Sequence, residues 1–113
     1  MVGPPWTIRV SRRAQADIQS IRRWTEFQPG EEQAQRYAQL VIDTLDELRV
    51  RGIDTLGVKT RDGVAKGLCS LDLARRGQKG RHVILFRRSD SNSRILLVLR
   101  ILHDAMDWGR QVR

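Results

Sequence analysis

The sequence predicts a two-layer α+β domain in which a helical hairpin packs on a mainly antiparallel sheet of four strands, followed by a short C-terminal helix. Three observations lead to this class. Apolar residues alternate near the N-terminus, recur with helical period over residues 12–51, and form three short runs separated by turns over residues 68–102. The element order is therefore strand–helix–helix–strand–strand–strand. A chain of 113 residues fits a single domain, 1–113, and can bury a core without disulfides.

The N-terminal stretch WTIRV, residues 6–10, alternates in polarity and predicts a half-buried edge strand. Ser11 is a suitable N-cap for the following helix, because its hydroxyl can accept a hydrogen bond from a backbone N–H of the first turn. Pro29 and Gly30 end this helix. Its apolar stripe consists of Ala14, Ile18, Ile21 and Trp24.

A second helix is expected from Glu31 to about Arg51, with acidic residues in its first turn, where they suit the helix dipole, and Gly52 after its end. Residues 52–67 carry four glycines and no periodic signal, so they are interpreted as a long loop with one helical turn at most. The apolar stripe of this helix consists of Ala34, Tyr37, Ala38, Val41, Leu45 and Leu48.

Three strand candidates span residues 68–73, 81–88 and 94–102, with polar turns between them, and consecutive turns make them an antiparallel meander. Counting chain reversals, we expect the first strand of the chain to pair antiparallel with the last. The last strand is then central, which explains its nearly continuous apolar run. Its odd residues are assigned to the face under the helices and its even residues to the other: Ile95, Leu97, Leu99 and Ile101 against Leu96, Val98, Arg100 and Leu102. The C-terminal helix is expected to begin near His103 or Asp104.

The charge is concentrated in the second half of the chain. Residues 1–48 hold six Lys or Arg and seven Asp or Glu, whereas residues 49–113 hold fifteen and six, so the formal net charge of +8 comes entirely from the second half. Such an asymmetry indicates an anionic partner, either nucleic acid, an acidic protein segment or a membrane surface. A basic surface that only aids solubility is the alternative that charge alone leaves open.

The sequence offers few candidates for cofactor chemistry. One cysteine and two histidines show no metal-ligand spacing, and GIDTLG lacks the Lys-Ser/Thr of a phosphate-binding loop, so we expect no metal and no cofactor. Cys69 is interpreted as a small apolar filler on a strand. Because no apolar run approaches the roughly 20 residues of a membrane span and no signal peptide is visible, a cytoplasmic protein that does not enter a membrane is expected.

Four segments together resemble the RelE/ParE toxin superfamily, and its ParE branch in particular, over about residues 8–112. The opening helix SRRAQADIQSIRRWT, the long helix GEEQAQRYAQLVIDTLDEL and the strand GRHVILFRRSD are similar to family elements. The closing VLRILHDAMDW is the most specific of the four. The chain departs from the family in residues 52–67, which lack the usual Pro-Gly-Arg-Pro loop, and in the basic turn ARRGQKGR, which looks longer than is typical.

The resemblance implies the toxin of a type II toxin–antitoxin module that forms a hetero-oligomer with a ParD-like antitoxin. ParE toxins act on DNA gyrase, so a block of replication without hydrolysis is the first hypothesis. A ribosome-dependent mRNA endoribonuclease is the second, with Arg81, Arg87 and His103 as the catalytic candidates. A third is an inactive module that only binds the antitoxin.

Binding of a target or of the antitoxin is assigned to basic side chains of the sheet region and to residues near the C-terminus. This set consists of Arg75, Arg76, Lys79, Arg81, Arg87, Arg88, Arg100 and Trp108. His103 and Asp107 are interpreted as a structural pair rather than a catalytic one, because a histidine after a buried strand commonly bonds a neighbouring carboxylate. An antitoxin segment is expected at a sheet edge or in the groove of the helical hairpin.

Overall fold

The computed structural model describes residues 4–26, 31–74, 81–89, 94–103 and 108–112, with side chains except at 24–26, 31–35 and 112. The predicted stripe residues Trp24 and Ala34 therefore have no described side chain. The strands are β1 (Thr7–Val10), β2 (Lys59–Thr60), β3 (Cys69–Asp72), β4 (His82–Arg88) and β5 (Ile95–His103). The helices are α1 (Arg12–Glu26), α2 (Glu31–Arg51), a 3-10 turn (Gly52–Asp54) and α3 (Trp108–Val112). The α+β class and the short C-terminal helix are confirmed, but the sheet has five strands instead of four.

The sheet order is β1-β5-β4-β3-β2, and β5 is flanked on both sides as its apolar run predicts. All neighbouring pairs are antiparallel except β1 and β5, which are parallel with Thr7 opposite Ile95. The prediction that β1 joins β5 antiparallel is therefore wrong. The cause is β2, a two-residue strand inside the predicted loop 52–67, because its hairpin with β3 adds one chain reversal and inverts the direction of every later strand.

The helical hairpin packs on one face of the sheet, and the N-terminus of α1 is fixed as predicted. The Ser11 hydroxyl accepts a bond from the backbone N–H of Ala14 at 3.0 Å and donates to the carbonyl of Leu99 at 2.8 Å, so the cap also ties α1 to β5. We call the core beneath the helices the helix-side core. Its buried residues are Trp6, Ala14, Ile21, Val41, Leu48, Leu71, Leu73, Ile84, Phe86, Leu96, Val98 and Ile101.

A β-bulge in β5 corrects the predicted division of its side chains. Leu85 pairs with Arg100 whereas Phe86 pairs with Val98, which leaves Leu99 as an extra residue. Leu96 and Val98 therefore lie in the helix-side core before the bulge, and Ile101 joins them after it. The assignment is wrong for Leu96 and Val98 and right for Ile101. Nearly uniform apolarity gave the sequence no contrast between the two faces, and an inserted residue inverts the alternation.

The opposite face carries a smaller cluster, the second cluster, whose buried residues are Leu68, Val83, Leu85 and Leu102. Val64 and Ala65 of the connection before β3, together with Leu99 of the bulge and Trp108 of α3, pack against it. This connection and the C-terminal helix thus cover part of the second face.

Gly52 ends α2 in the left-handed region, with φ of +57°. A Cβ atom at this position would lie 2.1 Å from Nε1 of Trp6, so both the backbone angle and the available space require glycine. The Trp6 N–H donates to the carbonyl of Arg49 at 2.7 Å, which joins the start of the chain to the end of α2. Within the described residues, no helix combines the length and the apolar character that crossing a membrane requires.

Candidate functional site

A polar cleft of about 380 Å³ lies where the start of β4 and the end of β5 meet α1. Ser20 and Ile21 line it from α1, and Arg81, His82 and His103 line it from the sheet. We call this the histidine cleft. Because the two strands are antiparallel, the first residue of β4 and the last residue of β5 are neighbours, and His82 pairs directly with His103.

Three aromatic side chains connect α2 to the histidine cleft. The His82 and His103 rings meet edge to face with centroids 5.7 Å apart, and Tyr37 meets His82 in the same manner at 5.5 Å. The Tyr37 hydroxyl is hydrogen-bonded to Nδ1 of His82 and accepts the backbone N–H of Arg81 at 3.3 Å. These contacts hold the backbone of Arg81 and leave its exposed guanidinium to line the cleft.

The three candidates for RNA cleavage do not share one site. Arg81 and His103 line the histidine cleft, but Arg87 lies six positions along the chain from Arg81, which corresponds to roughly 20 Å of extended strand. Strand alternation also points Arg87 to the face opposite His82. Asp107 lies outside the described residues, so the predicted pairing of His103 with it stays a prediction. The described partner of His103 is the ring of His82.

Arg100 forms the strongest polar contact between the helices and the sheet. Its Nε and Nη2 both donate to the carboxylate of Asp17 at 2.8 Å, and Nη1 donates to Gln111 of α3 at 3.0 Å. Asp17 also accepts the backbone N–H of Ile101 at 2.9 Å. The bond to Asp17 raises the pKa of Arg100 above its ordinary value, so the side chain stays charged. Arg100 thus joins α1, β5 and α3, although its sequence suggested a contact with a target.

Other basic candidates lie against tryptophans. Arg88 and Arg94 contact the Trp6 ring, with their guanidinium carbons 5.1 and 4.5 Å from its centroid. On the opposite face of the sheet, Arg61 lies 5.2 Å from the centroid of Trp108. Three further candidates, Arg75, Arg76 and Lys79, lie outside the described residues.

The only cysteine occupies a poor position for nucleophilic chemistry. Cys69 is half-buried beside the helix-side core, and burial, followed by the negative charge of Asp62, raises the pKa of its thiol. A raised pKa leaves less of the reactive thiolate at neutral pH. Across the described part of the chain, no three His, Cys, Asp or Glu residues come together as a metal ion requires.

An apolar groove of about 270 Å³ runs between α1 and α2 on the outer surface of the hairpin. Its lining consists of Ile18, Ile21, Arg22, Ala38, Val41, Ile42 and Leu45. Ile42 is 51% exposed, which is unusual for an isoleucine beside a folded core. Ile21 lines both the groove and the histidine cleft, so the two cavities adjoin.

The fold is similar to that of solved toxin–antitoxin proteins. A chain of the chromosomal ParDE system from P. aeruginosa is 21% identical with a TM-score of 0.67, over 89% of this chain and 98% of that one. A chain of the RelBE2 toxin–antitoxin complex from Mycobacterium tuberculosis is 18% identical with a TM-score of 0.48, over 88% and 98%. No curated protein sequence matches the chain.

The family comparison covers nearly the whole chain. The sequence model of the ParE toxin of the type II toxin–antitoxin system parDE matches residues 8–108. The match includes all five strands and both long helices. It confirms the resemblance that the opening helices and VLRILHDAMDW indicate, and the chain belongs to the ParE toxin family of type II toxin–antitoxin systems.

Proposed function

We propose that the protein is a toxin that inhibits DNA gyrase in the cytoplasm, and so blocks replication, and that a ParD-like antitoxin neutralises it in a hetero-oligomer. The observation that carries this proposal is the family match over residues 8–108. The net charge of +8 supports an acidic partner, because opposite charge speeds association and favours the correct orientation.

The apolar groove between α1 and α2 supports an antitoxin helix as its occupant. An amphipathic helix commonly binds by laying its apolar face into such a groove. Ile42 lies at its exposed side, and Val41 and Leu45 lie at its base, 3% exposed and half-buried respectively. The groove therefore offers anchoring positions on a rigid pair of packed helices.

The separation of Arg81 from Arg87 favours a block of gyrase over RNA cleavage. Acid–base cleavage requires its groups to meet around one phosphate, and the three proposed catalytic side chains are divided between two faces of the sheet. Inhibition of gyrase by binding requires no such arrangement.

Expression in growing cells tests the proposal. Induction of the protein alone is expected to arrest replication and induce the DNA-damage response, and co-expression of the product of the adjacent open reading frame is expected to restore growth. Arrested growth with cleaved transcripts and continued DNA synthesis would instead indicate the ribonuclease.

The groove is tested by Ile42→Glu, which places a charge where we expect an apolar contact. Antitoxin binding is expected to weaken by about 2 kcal/mol or more, roughly thirtyfold in Kd, as at an interface hot spot. Leu56→Glu is the control, because Leu56 is 63% exposed and does not line the groove. Calorimetric titration measures both. Equal affinity of the two variants would exclude the groove as the docking site.

A further inference from the structure

The histidine cleft has the chemistry of a site for a carboxylate. Its described lining combines the exposed guanidinium of Arg81 with two imidazoles and the hydroxyl of Ser20, and includes no acidic residue. Guanidinium and imidazolium groups both donate to oxyanions in charge-assisted hydrogen bonds. The backbone of Arg81 is held by Tyr37, so the charge has a fixed origin.

The cleft also adjoins the apolar groove. Ile21 of α1 lines both cavities, and Ser20 and Arg22 beside it line the cleft and the groove respectively. A segment lying in the groove therefore reaches the cleft without crossing open surface. An apolar helix with an acidic residue at the end nearer the cleft would match the two cavities together.

We propose that the histidine cleft binds an acidic side chain of the same partner segment that occupies the groove, with Arg81 as its main charged contact. The site would thus recognise the sequence of the partner, because the groove selects apolar residues and the cleft selects a carboxylate at one position. This inference rests on the proposed antitoxin as the occupant of the groove.

Three variants at Arg81 test it, because the side chain is exposed and the bond to Tyr37 uses the backbone. With the product of the adjacent open reading frame as the probe, Arg81→Ala is expected to weaken Kd by about tenfold to a hundredfold, the range for loss of one partner of a charged pair. Arg81→Lys is expected to retain most of the affinity and Arg81→Glu to lose more than alanine.

Arg87→Ala is the matched control, since it removes an exposed arginine from the same strand on the opposite face and is expected to change Kd by less than twofold. The difference between the wild type and Arg81→Ala is expected to shrink in high salt, because ions screen a charged contact. A loss that is independent of salt, or equal for Arg81→Ala and Arg87→Ala, would overturn the inference.

The outcome separates this inference from the proposed function. If Ile42→Glu abolishes binding and Arg81→Ala does not, the antitoxin groove stands and the carboxylate site fails; if neither variant matters, both fail. Inorganic phosphate is the second probe. Chemical-shift changes at His82 and His103 on adding phosphate, lost in Arg81→Ala but without any effect of that variant on Kd of the antitoxin, would assign the cleft to a free anion and overturn the proposal.

Discussion

The two faces of the sheet differ in the amount of core that covers them. Twelve described buried residues lie beneath α1 and α2, whereas four form the second cluster beneath α3 and the connection before β3. Because burial of apolar surface is the main favourable term in folding, the helix side is expected to carry most of the global stability. The apolar groove and the histidine cleft both belong to that side, so the candidate binding surfaces stand on the more stable half of the molecule.

The second face is therefore where a local change should be possible without global unfolding. Its cover consists of a five-residue helix and a connection, and regions with few buried contacts open at lower free energy than the core. Each face also holds one tryptophan in contact with arginine, Trp6 on the helix side and Trp108 on the other. The predictions below test this inequality, beginning with the largest expected effect.

Asp17→Ala is expected to cost the most, about 3–5 kcal/mol of the free energy of unfolding, because it leaves the guanidinium of Arg100 uncompensated at 13% exposure. It also removes the acceptor of the backbone N–H of Ile101. Asp46→Ala is the control, since the contact of Asp46 with Arg49 is 3.9 Å long and exposed and is worth about 0–1 kcal/mol. Urea denaturation measures both, and similar losses would contradict the role of Asp17.

Trp6→Ala and Trp108→Ala compare the two faces directly. Loss of Trp6, which is 5% exposed in the helix-side core, is expected to cost about 3–5 kcal/mol. Loss of the half-buried Trp108 is expected to cost about 1–2 kcal/mol and to speed hydrogen exchange at residues 108–112 selectively. Equal losses of stability, or uniform acceleration of exchange in Trp108→Ala, would show that the second cluster is part of one cooperative core.

Gly52→Ala tests the junction between α2 and Trp6. We expect a loss of about 2–4 kcal/mol, from the left-handed backbone and from the contact of the new Cβ with the indole. Gly67→Ala isolates the backbone cost, about 1 kcal/mol, because Gly67 has φ of +78° and open space around it. Gly63→Ala lacks both effects. The order of the three variants in thermal unfolding checks the assignment, and a loss for Gly52→Ala no larger than for Gly67→Ala would contradict the steric contribution.

The sequence was sufficient for the layers and the helices but not for the topology of the sheet. The cap at Ser11 and the end of α2 at Gly52 are local chemistry, and both could be predicted from residue types. β2 could not, because Lys59 and Thr60 are both exposed and carry no alternation in polarity. Missing this one reversal was enough to make the pairing of β1 with β5 antiparallel instead of parallel.

The histidine cleft depends on long-range pairing in the same way. Arg81 and His103 were chosen from the sequence, but Tyr37 was assigned to an apolar stripe and His82 was not chosen as a site residue. Their meeting follows from the register of β4 with β5, which the bulge at Leu99 shifts by one residue. The available signal was a histidine at the outer end of each strand of a hairpin, which places both side chains at one edge of the sheet. The contact between Arg100 and Asp17 joins residues 83 positions apart and had no local signal.

The central claim is tested most directly by supercoiling of relaxed plasmid by purified DNA gyrase in the presence of this protein. We expect supercoiling to fall as the protein is added and to recover when the product of the adjacent open reading frame is added in equal amount. Full supercoiling activity at saturating protein, in a preparation that still arrests growth when expressed, would contradict gyrase as the target.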